Sequence, residues 1–132
     1  MTETTDNNKK PLVVMIDDDS FLLDMYSMKF KKGNYEVMVF TKAEECLEKL
    51  RDGLMPDALL CDIIMPGMDG WTFVKQVREN RLAEDSKIII LSNQGENEEK
   101  DHAAQFKVDG FIVKAMSTPS EVVKKVEEYL SK

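Results

Sequence analysis

The sequence predicts an α/β fold in which a doubly wound, five-stranded parallel sheet carries five helices. Short apolar runs alternate five times with stretches of helical spacing. These runs lack the apolar-polar alternation of half-exposed strands, which is typical of strands buried on both faces of a parallel sheet. Five such units are too few for a closed eight-stranded barrel. We therefore expect an open sheet in the strand order 2-1-3-4-5.

Length and composition indicate one soluble domain. The chain has 132 residues, of which 42% are hydrophobic and 33% are charged, as is ordinary for a globular protein. The net charge of −7 argues against nucleic acid as a direct partner. The apolar runs are far shorter than the ~20 residues of a membrane span, and the polar N-terminus is unlike a signal peptide. We therefore expect no membrane insertion and a cytoplasmic location.

A polar tail, one strand and one helix begin the chain. Residues 1–10 show no apolar pattern and are expected to form a flexible tail, so that the folded domain covers residues 11–132. The first strand is predicted over residues 12–16, and Asp19 is expected to cap the helix that follows. That helix is predicted over residues 21–32 and ends at Gly33. Its inward positions are expected to be Leu22, Met25 and Met28.

The next helix lies between two predicted strands, over residues 35–40 and 58–61. Thr41 and Glu44 have the spacing of a capping box, which is expected to start this helix. Apolar residues at helical spacing predict one buried face, formed by Ala43, Cys46, Leu47 and Leu50. Cys46 and Cys61 lack metal-ligand spacing, so we expect both to be reduced core residues.

The second half of the chain continues the alternation. The third helix is predicted over residues 70–81, with Trp71 packed in its first turn and Phe73, Val74 and Val77 turned inward. Strands are predicted over residues 88–91 and 111–113. The helix between them, over about residues 96–107, has only Ala103, Ala104 and Phe106 to bury, which predicts the least firmly held helix, and His102 is expected on its surface. Thr118 and Glu121 predict a second capping box, with Pro119 at the first helical position.

Polar side chains follow four of the five strands where each strand ends. The carboxyl ends of parallel strands share one edge of the sheet, and ligands bind there at the switch in strand order. The side chains expected to meet are Asp17, Asp18, Asp62, Ser92 and Lys114. Each alone is an ordinary turn or surface residue, but their joint placement favours a functional site.

Three carboxylates so close together repel one another, and a hard divalent cation relieves that conflict. An oxygen ligand set that leaves room for water and phosphate favours Mg²⁺. A carboxylate can act as nucleophile and form an acyl phosphate, while the cation and Lys114 neutralise charge on the transferring group. The residues therefore predict Mg²⁺-dependent phosphoryl chemistry.

Four stretches carry a family resemblance: Met15–Asp19, Leu60–Gly70, Ile90–Ser92 and Gly110–Lys114. The run Asp-x-x-Met-Pro-Gly-Met-Asp-Gly is the most specific part. Over residues 11–132 the chain resembles the receiver domain of two-component response regulators, and is similar to the single-domain chemotaxis type. The resemblance implies a flavodoxin-like fold and a phosphorelay function in signal transduction.

The family resemblance also implies roles for individual residues. Asp62 would accept a phosphoryl group from a sensor histidine kinase, from a phosphotransfer protein or from a small acyl phosphate. The implied Mg²⁺ ligands are Asp17, Asp18, Asp62 and the carbonyl of Ile64. The implied contacts of the phosphoryl oxygens are Ser92, Asn93 and Lys114. Ser92 and Phe111 would be the switch residues. Their movement would change the surface of the fourth helix, fifth strand and fifth helix, which would bind an unknown protein target.

Two residues depart from the family pattern. Ala115 follows Lys114 where the family usually has a cis-linked proline, which leaves open a scaffold that acts without phosphorylation. Asn93 follows Ser92 where a small residue is usual, and is expected to narrow access to Asp62. A haloacid-dehalogenase-type phosphatase with Asp17 as nucleophile is the less favoured alternative. Because the sequence ends just past the last helix, we expect a stand-alone regulator without an output domain. We expect a phosphoacceptor signalling domain that promotes its own phosphorylation and dephosphorylation, and not an enzyme.

Overall fold

The computed structural model describes residues 9–93 and 96–132, which form one sheet and five α-helices. The elements are β1 (Leu12–Ile16), α1 (Ser20–Lys32), β2 (Glu36–Phe40), α2 (Ala43–Arg51), β3 (Ala58–Cys61), α3 (Gly70–Glu79), β4 (Lys87–Ser92), α4 (Glu96–Phe106), β5 (Gly110–Val113) and α5 (Pro119–Leu130). A short 3-10 turn, Lys114–Met116, follows β5. Most of the predicted tail, residues 1–8, lies outside the described residues.

The strands are parallel and lie in the order β2-β1-β3-β4-β5, which confirms the predicted topology. The switch in strand order falls between β1 and β3, because α1 leads outward to β2 while α2 returns to β3. Ile16 pairs with Cys61 at this junction. The residues that directly follow these two strands, Asp17 and Asp62, therefore begin at the same level of the sheet.

Helices cover both faces of the sheet, and β1 shows how the side chains divide. Val14 and Ile16 pack in the cluster that contains the buried residues of α2 and α3. Val13 and Met15 pack in the cluster that contains those of α1 and α5. The predicted inward residues of α2 and α3 are all buried, as is Trp71. Cys46 and Cys61 are buried free thiols, as predicted, and burial raises the pKa of Cys46 to about 12.

The predicted inward face of α1 is wrong by about one position. The buried residues are Leu23, Tyr26 and Phe30, whereas Leu22 and Met25 are only partly buried and Met28 is 62% exposed. Apolar residues occur all around this helix, so their spacing alone does not select a face. Burying two aromatic rings removes more apolar surface from water than burying two methionines, and this difference orients the helix.

The two predicted capping boxes have different outcomes. At α5 the box is formed: Thr118 Oγ1 accepts from the Glu121 amide at 3.2 Å, and Glu121 Oε1 accepts from the Thr118 amide at 2.8 Å. At α2 the prediction is wrong, because the N-cap residue is Lys42 and no side chain caps the helix. The helix begins one residue later than the Thr41 box requires, which places its first residue, Ala43, in the core with no exposed surface.

The edge strand β2 also departs from prediction, since it is not buried on both faces. Its residues Met38 and Val39 are each 39% exposed. As an edge strand, β2 has a neighbour on one side only, and the described helices leave part of it open to solvent. Within the described part of the chain, no helix has the length and apolar content to cross a membrane.

Candidate functional site

The carboxyl edge of the sheet forms an open cavity of about 360 Å³. It is lined by Asp17, Asp18, Asp19, Leu22, Asp62, Ile64, Ser92, Asn93 and Lys114. The structure therefore brings together all of the predicted site residues except Phe111, and it adds Asp19 and Leu22 to them. The residues come from the ends of β1, β3, β4 and β5 and from the start of α1, because parallel strands deliver their ends to one edge.

Three carboxylates form the acidic part of the cavity. Asp17, Asp18 and Asp62 each offer an oxygen, and these oxygens lie within 4.8 Å of one another. Asp17 and Asp62 are buried, at 5% and 9% exposure, whereas Asp18 is exposed. Such hard oxygen donors, one of them open to solvent, fit a divalent cation of the Mg²⁺ type that keeps some of its water.

Lys114 is the counter-charge to this acidic cluster. Its Nζ donates to Asp17 Oδ2 at 2.5 Å and to Asp62 Oδ2 at 3.1 Å. The structure has no cis peptide bond among the described residues, so Ala115 joins Lys114 through a trans bond. The lysine reaches both carboxylates from the first residue of the 3-10 turn without the family's proline.

Backbone amides hold the remaining carboxylate oxygens. The Asp19 amide donates to Asp17 Oδ1 at 2.9 Å, and the Ile63 amide donates to Asp62 Oδ1 at 2.8 Å. Asp19 Oδ1 in turn accepts from the amides of Phe21 and Leu22, which confirms its predicted role as the cap of α1. Both buried carboxylates are thus fixed by an amide on one oxygen and an ammonium on the other.

Gly70 is a positioning residue that the sequence reasoning did not single out. Its amide donates to the Ile63 carbonyl at 2.7 Å, and a Cβ at this position would lie 2.2 Å from the Asp62 carbonyl oxygen. Any larger residue would therefore push on the backbone that carries Asp62. The Asp69-Gly70 pair predicts a turn, and the missing side chain of its glycine also permits close approach of two backbone segments.

Burial and the neighbouring charges have opposite effects on the pKa values of Asp17 and Lys114. Burial raises the pKa of Asp17, although the hydrogen bonds from Lys114 and from the Asp19 amide act in the opposite direction. Burial disfavours the Lys114 ammonium, but hydrogen bonds and charges from Asp17 and Asp62 outweigh it and raise the pKa of Lys114. Lys114 is therefore charged at neutral pH, and three carboxylates facing one ammonium leave the cavity open to further positive charge.

The other predicted residues lie around this centre. Ser92 is buried at the end of β4 with 1% exposure, and Asn93 is exposed at the cavity rim. Ile64 is 62% exposed and lines the cavity. Phe111 does not line it: it is partly buried on β5, pairs with Ile90 and packs against the core cluster of α2 and α3. Asp62, Ser92 and Phe111 thus lie on three neighbouring strands or at their ends.

Comparison with known proteins gives one consistent family. Residues 13–127 match the response regulator receiver domain family. The chain is 30% identical over 127 residues to the transcriptional regulatory protein ResD of Bacillus subtilis, covering 95% of this chain and 50% of that protein. It is 27% identical over 120 residues to the phosphate regulon transcriptional regulatory protein PhoB of Rhizobium meliloti, covering 91% of this chain and 52% of the relative. The chain spans about half the length of these curated relatives.

Solved structures resemble the chain over nearly its whole length. A putative response regulator from Chloroflexus aurantiacus is 31% identical with a TM-score of 0.83, covering 94% of this chain and 100% of that one. The chemotaxis protein CheY4 of Vibrio cholerae is 26% identical with a TM-score of 0.83, covering 92% of this chain and 99% of that one.

Proposed function

Because the chain belongs to the response regulator receiver domain family of two-component systems, we propose that Asp62 is the phosphoacceptor of a phosphorelay. The observation that carries this proposal is the fixed Asp62 carboxylate, which receives the Ile63 amide on one oxygen and Lys114 Nζ on the other. As a receiver domain the protein is a signalling domain, and we propose that it promotes its own phosphorylation and dephosphorylation.

The proposed reaction is a displacement at phosphorus. An oxygen of Asp62 attacks the phosphorus of a phosphohistidine, the P–N bond breaks as the new P–O bond forms, and the electron pair returns to the imidazole. With a small acyl phosphate, the P–O bond to the donor breaks instead and a carboxylate leaves. In both cases Asp62 carries a mixed anhydride that water can later hydrolyse.

The cavity residues have defined tasks in this proposal. Asp17, Asp18 and Asp62, together with the carbonyl of Ile64, would hold Mg²⁺, and their hard oxygen donors suit that ion. When bound, Mg²⁺ supplies positive charge that offsets the negative charge on the phosphoryl oxygens. Lys114 adds an ammonium at the same place. Ser92 and Asn93 would contact the remaining phosphoryl oxygens from the end of β4.

The consequence of phosphorylation is proposed to appear on the surface of α4, β5 and α5. A shift of Ser92 towards the phosphoryl group would allow the partly buried Phe111 ring to move inward, because the two residues lie on neighbouring strands. The changed surface would bind a downstream protein. The proposed donor is a sensor histidine kinase or a phosphotransfer protein, and the proposed setting is the cytoplasm, without direct contact to nucleic acid.

The two alternatives have less support in the site. A phosphatase with Asp17 as nucleophile has less support, because residues 13–127 match the receiver domain family and the resemblance to that family assigns the phosphoacceptor role to Asp62. The phosphorylation-independent scaffold rests on Ala115, which replaces the family's proline. Lys114 contacts both buried carboxylates although alanine follows it in place of proline. Its ammonium is therefore in position to neutralise charge on a phosphoryl group.

Intact-mass analysis after incubation with a small acyl phosphate tests the proposal. We expect one added phosphoryl group in the wild type with Mg²⁺, much less without Mg²⁺, and none in Asp62→Asn. Asp24→Asn is the matched control, because Asp24 is an exposed carboxylate of α1 that does not line the cavity. A folded wild type that stays unmodified and does not bind Mg²⁺ would support the scaffold instead.

A further inference from the structure

Helix α4 has little apolar contact with the rest of the protein. Among its residues from Glu99 to Phe106 none is fully buried, and only Glu99, Ala103 and Phe106 are partly buried. Ala104, which was predicted to be buried, is exposed. A helix with so little buried surface opens or shifts at a low free-energy cost unless other contacts hold it.

Two side chains of α3, Trp71 and Arg78, make three hydrogen bonds that hold α4 in place of a large apolar interface. Trp71 Nε1 donates to Glu99 Oε1 at 2.8 Å, near the beginning of α4. At the other end, Arg78 donates from Nε to the Phe106 carbonyl at 3.2 Å and from Nη2 to the Lys107 carbonyl at 2.7 Å. The cation of Arg78 thus lies at the C-terminus of the helix, where positive charge is favourable.

The Trp71–Glu99 hydrogen bond is partly shielded from solvent. The Glu99 side chain is 17% exposed, and Trp71 is 8% exposed. The indole stacks against the rings of His102 and Phe106, with centroids 5.4 and 5.8 Å away. A hydrogen bond to a carboxylate is stronger than one between neutral groups, and shielding from water strengthens it further.

The donor side of this hydrogen bond is attached to the Asp62 loop. Trp71 directly follows Gly70, which donates its amide to the Ile63 carbonyl and leaves no space for a Cβ beside the Asp62 carbonyl. A displacement of the loop that carries Asp62 would therefore also move the first turn of α3, which includes the indole of Trp71. This connection runs through α3 and is separate from the β4–β5 route of Ser92 and Phe111.

We propose that Trp71 and Glu99 form a latch that holds α4 on α3 and links its position to the Asp62 loop. The holding role concerns the unmodified protein. The linking role rests on the proposed function, because phosphorylation of Asp62 is the event that would move the loop and release α4.

Amide hydrogen exchange tests the holding role through a double-mutant cycle. Trp71→Phe removes the N–H donor but keeps an aromatic ring for the stack, and Glu99→Leu removes the acceptor. We expect either change to speed exchange of the amides of residues 100–106 by about tenfold. The double variant should add little to Glu99→Leu, because both changes remove the Trp71–Glu99 hydrogen bond. Glu99→Leu also removes the 3.2 Å contact between Glu99 Oε1 and His102 Nδ1.

Two controls separate the latch from a general loss of stability. Glu99→Gln keeps a side-chain carbonyl acceptor and should exchange nearly as slowly as the wild type. Amides of α5, which packs on the opposite face of the sheet, should be unaffected in every variant. Unchanged α4 exchange in both single variants, or effects that simply add in the double variant, would overturn the latch.

Fluorescence of Trp71, the single tryptophan, tests the link. Emission is recorded with Mg²⁺ before and after addition of a small acyl phosphate, while intact mass reports how much protein is phosphorylated. We expect an emission change in the wild type that is at least halved in Glu99→Leu at equal phosphorylation. An identical change in both would overturn the link. Absence of phosphorylation would overturn the proposed function and the link together, whereas the exchange result still decides whether the latch holds α4.

Discussion

At the scale of single residues, Lys114 sets the electrostatics of the cavity. Its ammonium touches Asp17 and Asp62, and its side chain is 7% exposed. Its positive charge therefore offsets part of the negative charge of Asp17 and Asp62 that would attract a divalent cation. The same charge is available to a phosphoryl group, so Lys114 is expected to weaken cation binding and favour phosphoryl binding.

Replacement of Lys114 separates these two effects. In Lys114→Met the carboxylates lose their counter-charge, and we expect Mg²⁺ to bind about tenfold more tightly. Calorimetric titration with MgCl₂ measures this change, and Lys124→Met on the exposed side of α5 is the control. An unchanged or weaker Mg²⁺ affinity in Lys114→Met would contradict the electrostatic account.

Asn93 is exposed at the rim of the cavity. We propose that its side chain restricts the approach of water to Asp62 and so lengthens the lifetime of the acyl phosphate. We expect the phosphoryl group in Asn93→Ala to decay roughly threefold faster, because water reaches it more easily. Decay of the intact-mass signal after removal of the donor provides the rate. Asn80→Ala, at the far end of α3, should decay like the wild type, and equal rates in all three proteins would contradict this role.

At the scale of elements, the two capping sequences provide a matched comparison. Thr118 caps α5 through a complete capping box, whereas Thr41 makes no capping hydrogen bond at α2. We expect Thr118→Ala to lower the free energy of unfolding by about 1 kcal/mol and Thr41→Ala to change it little. Urea denaturation measures both, and equal losses would contradict the assignment of the caps.

The α5 box also predicts a pH dependence. The Thr118 amide and hydroxyl hydrogen bonds lower the pKa of Glu121 below its ordinary value of 4.5. Because the pKa is lower in the folded state, this contribution to stability is present above the unfolded pKa and is lost as pH falls through the folded pKa. Glu121→Gln should therefore be less stable than the wild type at neutral pH, and the difference should shrink in acid. A difference that does not depend on pH would contradict this origin.

At the scale of the whole molecule, the acidic edge should couple folding to cation binding. The three carboxylates converge there only in the folded state, since Asp62 is distant in the chain from Asp17 and Asp18. We expect Mg²⁺ at one hundred times its Kd to stabilise the fold by about 2.7 kcal/mol. Thermal unfolding with and without MgCl₂ measures this effect. A similar stabilisation of Asp62→Asn and of the wild type would contradict a site centred on these carboxylates.

Most of the molecular architecture could be predicted because all-apolar strands and helical spacing constrain it strongly. The predicted strand order places Asp17, Asp62 and Lys114 at one edge of the sheet, and the structure brings them together there. The buried face of α1 could not be predicted, because apolar residues occur on all sides of this helix. The packing of Phe30 in the core determines which side is buried. The close approach of Gly70 to Asp62 and the Trp71–Glu99 contact also depend on tertiary packing, which local spacing does not encode.

Mapping the phosphorylated residue tests the central claim most directly. The wild type is treated with a small acyl phosphate and Mg²⁺, the mixed anhydride is trapped by borohydride reduction, and the peptides are identified by mass spectrometry. We predict that reduction converts Asp62, and no other residue, to homoserine, and that omission of Mg²⁺ greatly reduces this product. Conversion of Asp17 or another carboxylate, with Asp62 unchanged, would contradict the account.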